Sequence, residues 1–152
     1  MSSRRKSREA ALQVLFSMDM LKDDSEALMT RLCEMIGAED AIDPYCNELI
    51  QGVITHRPEI DGIIMRFSSN WKMNRMAGTD RNIMRIAVYE MMHQHKDVPH
   101  KVAIDEAVDI AKKFGTEESG AFINGILDGI YHHHLSDPDK KDDATSKASG
   151  AI

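Results

Sequence analysis

The stretch VPHKVAIDEAVDIAKKFGTEESGAFINGILDGI, residues 98–130, holds two helical patterns separated by a single break. Val98 precedes Pro99, and a residue before proline disfavours the helical region, so KDVP (96–99) reads as a turn. Ala103, Ala107, Ile110, Ala111 and Phe114 then recur at three- and four-residue steps, the period of one buried helix face. Gly115 stops that helix and Thr116 is placed to cap the next. In the second pattern Phe122, Ile123, Ile126, Leu127 and Ile130 point inward.

The same period extends outward in both directions. Ala11, Val14, Leu15, Met18 and Leu21 mark a first helix, and Asp23-Asp24-Ser25 breaks it. Leu28, Leu32, Met35 and Ile36 mark a short second helix that Gly37 ends. Asp43-Pro44 is an N-cap followed by proline in the first helical position, a start signal. Cys46, Leu49, Ile50 and Val53 line the helix it opens. Pro58 interrupts or kinks that helix, and Ile60, Ile63, Ile64 and Phe67 continue the period beyond it. The polar stretch 68–80 is the best internal boundary, after which Thr79 caps a helix burying Ile83, Ile86, Ala87 and Met91. From Ser136 the chain is polar and nearly free of large apolar groups, the composition of a disordered tail. The expected fold class is all-α: two packed three-helix bundles of about six to seven helices, residues 1–70 and 71–135, with a tail over 136–152.

Composition narrows the function. No apolar run approaches the ~18 residues needed to span a membrane, and the N-terminus lacks the layout of a secretory signal. Cys33 and Cys46 have neither pairing nor metal-ligand spacing, which fits a reducing cytoplasm. The glycines form no phosphate-binding loop, and no nucleophile–histidine–acid grouping stands out, so no catalytic residue and no cofactor are expected. His132, His133 and His134 are consecutive and would point about 100° apart on a helix. His93 and His95, two apart, face nearly opposite sides. Neither group has the spacing of metal ligands, and the expected metal site is none. Asp109 stands three and four residues before Lys112 and Lys113, the spacing of solvated pairs, whereas Glu106 faces a neighbouring helix. Glu90, between apolar neighbours in VYEMM, needs a buried partner such as an arginine.

One local feature resists a purely structural reading. The formal net charge is −6, yet residues 1–8 carry +4 through Arg4, Arg5, Lys6 and Arg8, which leaves −10 on the other 144 residues. The cluster runs directly into an amphipathic helix, so its charges are held at fixed spacing. Arg5, Glu9, Gln13, Phe16 and Met20 share one stripe of that helix. Cations for phosphates, an amide for a base edge and a ring for stacking are what single-stranded RNA requires. Cations at a helix N-terminus also oppose its dipole, so helix stability does not explain them.

Three blocks together carry a family resemblance: REAALQVLF (8–16), DRNIMRIAVYEMM (80–92) and the stretch 98–130. In this order and spacing they resemble the NusB family of bacterial transcription antitermination factors, over nearly all of residues 3–134. The resemblance implies an all-helical fold of two three-helix bundles and no enzyme activity. It implies binding of boxA-type RNA together with ribosomal protein NusE, and a place with other Nus factors on RNA polymerase. By the same resemblance the RNA-binding residues are Arg4, Arg5, Lys6, Arg8, Gln13, Phe16, Glu118 and Phe122. Phe16 stands where many relatives carry tyrosine, which keeps a stacking ring but loses a hydroxyl. Two other readings stay open: a protein-binding helical adaptor without RNA binding, and a homodimer through the apolar ridge of the first helix. NusB-like domains also occur fused to RNA cytosine methyltransferases, and here no cofactor-binding domain is expected to follow.

Overall fold

The computed structural model describes residues 4–36, 43–69 and 72–135, and among them there are helices and no strands. Six α-helices follow in order: α1 (Arg4–Leu21), α2 (Glu26–Ile36), α3 (Pro44–Phe67), α4 (Gly78–His93), α5 (His100–Phe114) and α6 (Ser119–Ile130). A 3-10 turn, Met73–Arg75, precedes α4, and a π-helical turn, Tyr131–Leu135, extends α6. Gly37 and the stretch from residue 136 fall outside the described residues, as does the tail expected there. No described helix is long and apolar enough to cross a membrane.

Local chemistry accounts for the start of α3 most directly. The Asp43 carboxylate accepts from the Cys46 amide at 2.8 Å and Pro44 occupies the first turn of α3, as the Asp-Pro signal requires. α3 runs unbroken through Pro58, so the proline sits inside a 24-residue helix without ending it. Two expected caps move. Ala77, not Thr79, is the N-cap of α4. Glu118, not Thr116, is the N-cap of α6, while Thr116 and Ser119 tie the preceding turn together through the Thr116 amide and the Ser119 hydroxyl, 2.9 Å apart.

Helices α1–α3 and α4–α6 fall on either side of the 3-10 turn but share a continuous core. α4 joins the halves by packing against α1, α3, α5 and α6, and α3 also reaches α6. Met18, Leu49, Ile50, Ile60, Ile64, Met84, Met91, Ile123, Leu127 and Ile130 are its largest fully enclosed apolar side chains. Three residues expected inside are exposed instead: Leu21, Met35 and Phe114. Each lies in the last turn of its helix. α2 is the most peripheral helix, with only Met29 buried.

Two polar joints cross this core. Asp19 of α1 accepts from Arg81 at 2.8 Å, Asn82 at 2.9 Å and Arg85 at 3.2 Å. Arg85 also clamps Asp61 of α3 with two 2.8 Å bonds, so one guanidinium ties three helices. Burial pushes the Asp19 carboxyl up, but the bonds from Arg81 and Asn82 and the charge of Arg85 outweigh it and hold the pKa below the usual value. The second joint, Arg8 with Glu90, belongs to the candidate site.

Candidate nucleic-acid interface

The sequence predicts a cationic ridge on α1, and the structure divides its cations into different environments. Arg4, Arg5 and Lys6 are exposed, whereas Arg8 is only 4 % exposed. The four lie within five positions, and successive helical residues turn by about 100°, so they cannot all share one face. Arg8 falls on the inner face beside Ala11, Leu12 and Leu15.

Arg8 is therefore corrected from a surface phosphate ligand to an internal ion-pair partner. Its Nε lies 3.0 Å from each Glu90 carboxylate oxygen and its Nη2 2.9 Å from Oε2. Its Nη1 reaches Glu106 at 3.3 Å. The Tyr45 hydroxyl donates to Glu90 as well. Burial works against the Arg8 charge, but the hydrogen bond and charge of Glu90 prevail and raise its pKa above the ordinary guanidinium value. The partner that Glu90 required is thus supplied from α1. Burial and the nearby Glu90 charge together push the Tyr45 phenol well up.

Arg5 is exposed but engaged. It donates to Glu106 through Nε at 3.0 Å and Nη2 at 2.7 Å, and Nη2 also lies 2.9 Å from Asp109. The bond from Arg5 holds the Glu106 carboxyl below its usual range, despite partial burial. Glu106 faces a neighbouring helix as expected. Asp109, expected among same-helix lysine pairs, instead meets Arg5 of α1. Lys113 pairs with Glu9 of α1 at 3.0 Å. Ion pairs of both polarities thus fasten α1 to α5.

The remaining ridge stays open. The Arg4 guanidinium sits 4.4 Å above the Tyr45 ring, and among the described residues no carboxylate pairs with it. Gln13 is exposed, and no described residue hydrogen-bonds its side chain. Phe16 is half-buried because the start of α4 passes beneath it. A Cβ on Gly78 would come within 2.9 Å of the ring, so the glycine lets helix and ring meet. Glu118 is exposed at the start of α6, and Phe122, one turn on, packs partly against the core. Glu118 caps and Phe122 lies on a helix packed against α5, α3 and α4. Where α1 begins and α5 begins, Arg4, Arg5, Arg8 and Glu106 face Val98, Pro99 and Val102 across an open cleft of about 490 Å³.

Sequence reasoning missed Tyr45 and Lys113 as members of this region. Tyr45 directly follows the α3 start signal, and nothing local indicates that its ring lies under Arg4. Lys113 has same-helix carboxylate neighbours that mask its bond to α1.

The architecture and this ridge define a small helical protein whose described residues form six α-helices about one core, with a cationic first helix. A family model described as the NusB family matches residues 5–132, and the chain belongs to that family. It is 48% identical over 134 residues to the transcription antitermination protein NusB of Desulforapulum autotrophicum, covering 86% of this chain and 92% of that protein. It is 40% identical over 147 residues to the NusB of Desulfitobacterium hafniense, covering 95% and 99%. Among solved structures, T. maritima NusB matches with a TM-score of 0.76 at 37% identity, covering 93% of this chain and 97% of that one. A crystal structure of antitermination factors NusB and NusE in complex with double-stranded RNA matches at 0.72 and 27% identity, covering 86% and 97%.

Proposed function

We propose that this protein is a non-enzymatic transcription antitermination factor that binds boxA-type single-stranded RNA together with ribosomal protein NusE. With other Nus factors on RNA polymerase it keeps transcription of ribosomal RNA operons processive. The observation that carries this reading is the open edge of α1. There Arg4, Lys6, Gln13 and Phe16 leave cation, amide and ring groups partly or wholly exposed on a rigid helix. Similarity to a NusB–NusE complex with double-stranded RNA supports NusE and RNA, at the level of class, as partners.

Arg4 and Lys6 supply phosphate contacts, and Arg5 adds one when RNA competes with Glu106 and Asp109 for its guanidinium. Gln13 reads a base edge, and the open side of Phe16 stacks on an unpaired base. Glu118 and Phe122 form a second contact patch on α6. The negative charge on the rest of the chain repels RNA elsewhere and confines binding to this edge.

A protein-binding adaptor without RNA affinity is the second reading. It is favoured by one observation: Arg5 and Lys113 are already neutralised by internal carboxylates. Anisotropy titrations with a labelled boxA-type single strand, a scrambled strand and a duplex, with and without NusE, separate the two. Selective binding to the boxA strand that tightens with NusE supports the proposal. No binding under either condition overturns the proposal and favours the adaptor.

A further inference from the structure

The interface of α3 and α4 gathers three side chains with metal-binding atoms. His56 and Glu59 stand three residues apart on α3, and His93 comes from the last turn of α4. Nδ1 of His56 is 3.7 Å from Oε1 of Glu59, and Nε2 of His93 is 3.9 Å from the same oxygen. All three ligand atoms lie within 4.8 Å of one another. A tetrahedral ion with bonds of ~2.0–2.1 Å needs its donors ~3.3 Å apart. Rotamer adjustments closing the gaps by well under an ångström to about one and a half would reach it, and Glu59, at 55% side-chain exposure, is free to move.

Packing brings the two rings together. His93 stacks on His56 with centroids 4.3 Å apart and on Tyr89 at 5.1 Å. Tyr89 is fixed in turn, its hydroxyl donating to Glu48 at 3.0 Å and its ring lying against Gly52. A Cβ at Gly52 would come within 2.2 Å of that ring, so only glycine permits this seat. The column Gly52–Tyr89–His93–His56 keeps the two imidazoles adjacent, and an ion would tilt them out of the stack so that their ring nitrogens converge.

We propose that His56, Glu59 and His93 bind a zinc-class divalent transition-metal ion that clamps α3 to α4. Two imidazoles and one carboxylate form the three-ligand set of an open zinc site, with water in the fourth position. Imidazole nitrogen favours Zn²⁺, Co²⁺, Ni²⁺ or Cu²⁺, whereas Mg²⁺ and Ca²⁺ prefer oxygen donors. Sequence spacing around His93 excluded a local ligand pair, but the ligands come from two helices. An ion joining them binds the folded chain and so raises its thermal stability.

The test is calorimetric titration and thermal unfolding of the full chain with ZnCl₂ and, separately, MgCl₂. His132, His133 and His134 are replaced by alanine to remove the consecutive histidines as competing ligands. Expected are one Zn²⁺ bound per chain, a rise in Tm with Zn²⁺ and none with Mg²⁺. His56→Gln, Glu59→Gln and His93→Gln should each weaken Zn²⁺ at least as much as the roughly 10–100-fold typical of removing an outer-shell partner. His95→Gln should leave it unchanged, and circular dichroism checks that every variant is folded. Zn²⁺ affinity unaltered in folded His56→Gln and His93→Gln, or no Zn²⁺ binding by the parent, overturns the proposal.

Discussion

Arg8 of α1 and Glu90 of α4 form an ion pair whose side chains are 5% and 1% exposed, closed by a third contact from Tyr45 of α3. Three helices from the two halves of the chain meet at this pair. The charges lie inside the protein, where losing one partner strands the other in a poorly solvated site. Arg8→Ala or Glu90→Ala should therefore destabilise the fold by about 3–5 kcal/mol. Urea unfolding followed by circular dichroism measures it. A loss below about 1 kcal/mol, the range of exposed pairs, would show that the pair is solvated in solution.

The division among the four cations has a consequence for RNA binding. Removing one cation that touches a single-strand phosphate should reduce the slope of log affinity against log salt by about 0.7. Arg4→Ala and Lys6→Ala should each show this reduction. Arg5→Ala should show a smaller one than Arg4→Ala, because Arg5 must first exchange Glu106 and Asp109 for phosphate. Equal slopes across the wild type and both Arg4→Ala and Lys6→Ala would remove the phosphate-contact assignment.

Phe16 should behave differently. Replacing a stacking ring by alanine costs roughly 1–3 kcal/mol of RNA binding with little change in the salt slope. The Phe16 edge also packs over Gly78, so the variant will lose some stability. Phe16→Tyr retains the ring and should retain binding, which separates stacking from packing. Anisotropy at two salt concentrations gives both quantities, and full affinity in a folded Phe16→Ala variant would exclude stacking.

Acid should loosen the polar joints. Asp19 and Glu106 both have folded pKa values below their ordinary ones. Their stabilisation is complete above the unfolded carboxylate range of about 4 and is lost as pH falls through the folded values. Tm should hold steady from neutral pH to about 5 and then decline. Glu106→Gln should flatten part of that decline relative to wild type. Parallel Tm–pH curves for the two proteins would show that Glu106 carries no such linkage.

The six helices were legible because each reports itself locally. Apolar residues recur at the helical period, Asp43-Pro44 starts α3, and Gly115 ends α5. Boundaries shifted at Thr79 and Thr116, where a capping residue type is present but the backbone begins its helix elsewhere. End-of-helix residues such as Phe114 and Leu21 keep the period yet stay exposed. Charged residues were harder to place. The block 80–92, which helped carry the family resemblance, holds its charges for joints: Arg81 and Arg85 for Asp19, Glu90 for Arg8.

By itself, then, the sequence determined the helical class, the approximate helix order, the family and the presence of a cationic first helix. Those properties follow from short-range periodicity and residue order along one chain. Tertiary structure alone decided which cations face solvent: Arg8 turned inward to Glu90, Arg5 took up Glu106 and Asp109, and Arg4 came to rest on Tyr45. It also brought His93 to His56 and Glu59. Burial and pairing depend on residues far apart in the chain, whose meeting is set by how the helices pack and not by any local pattern.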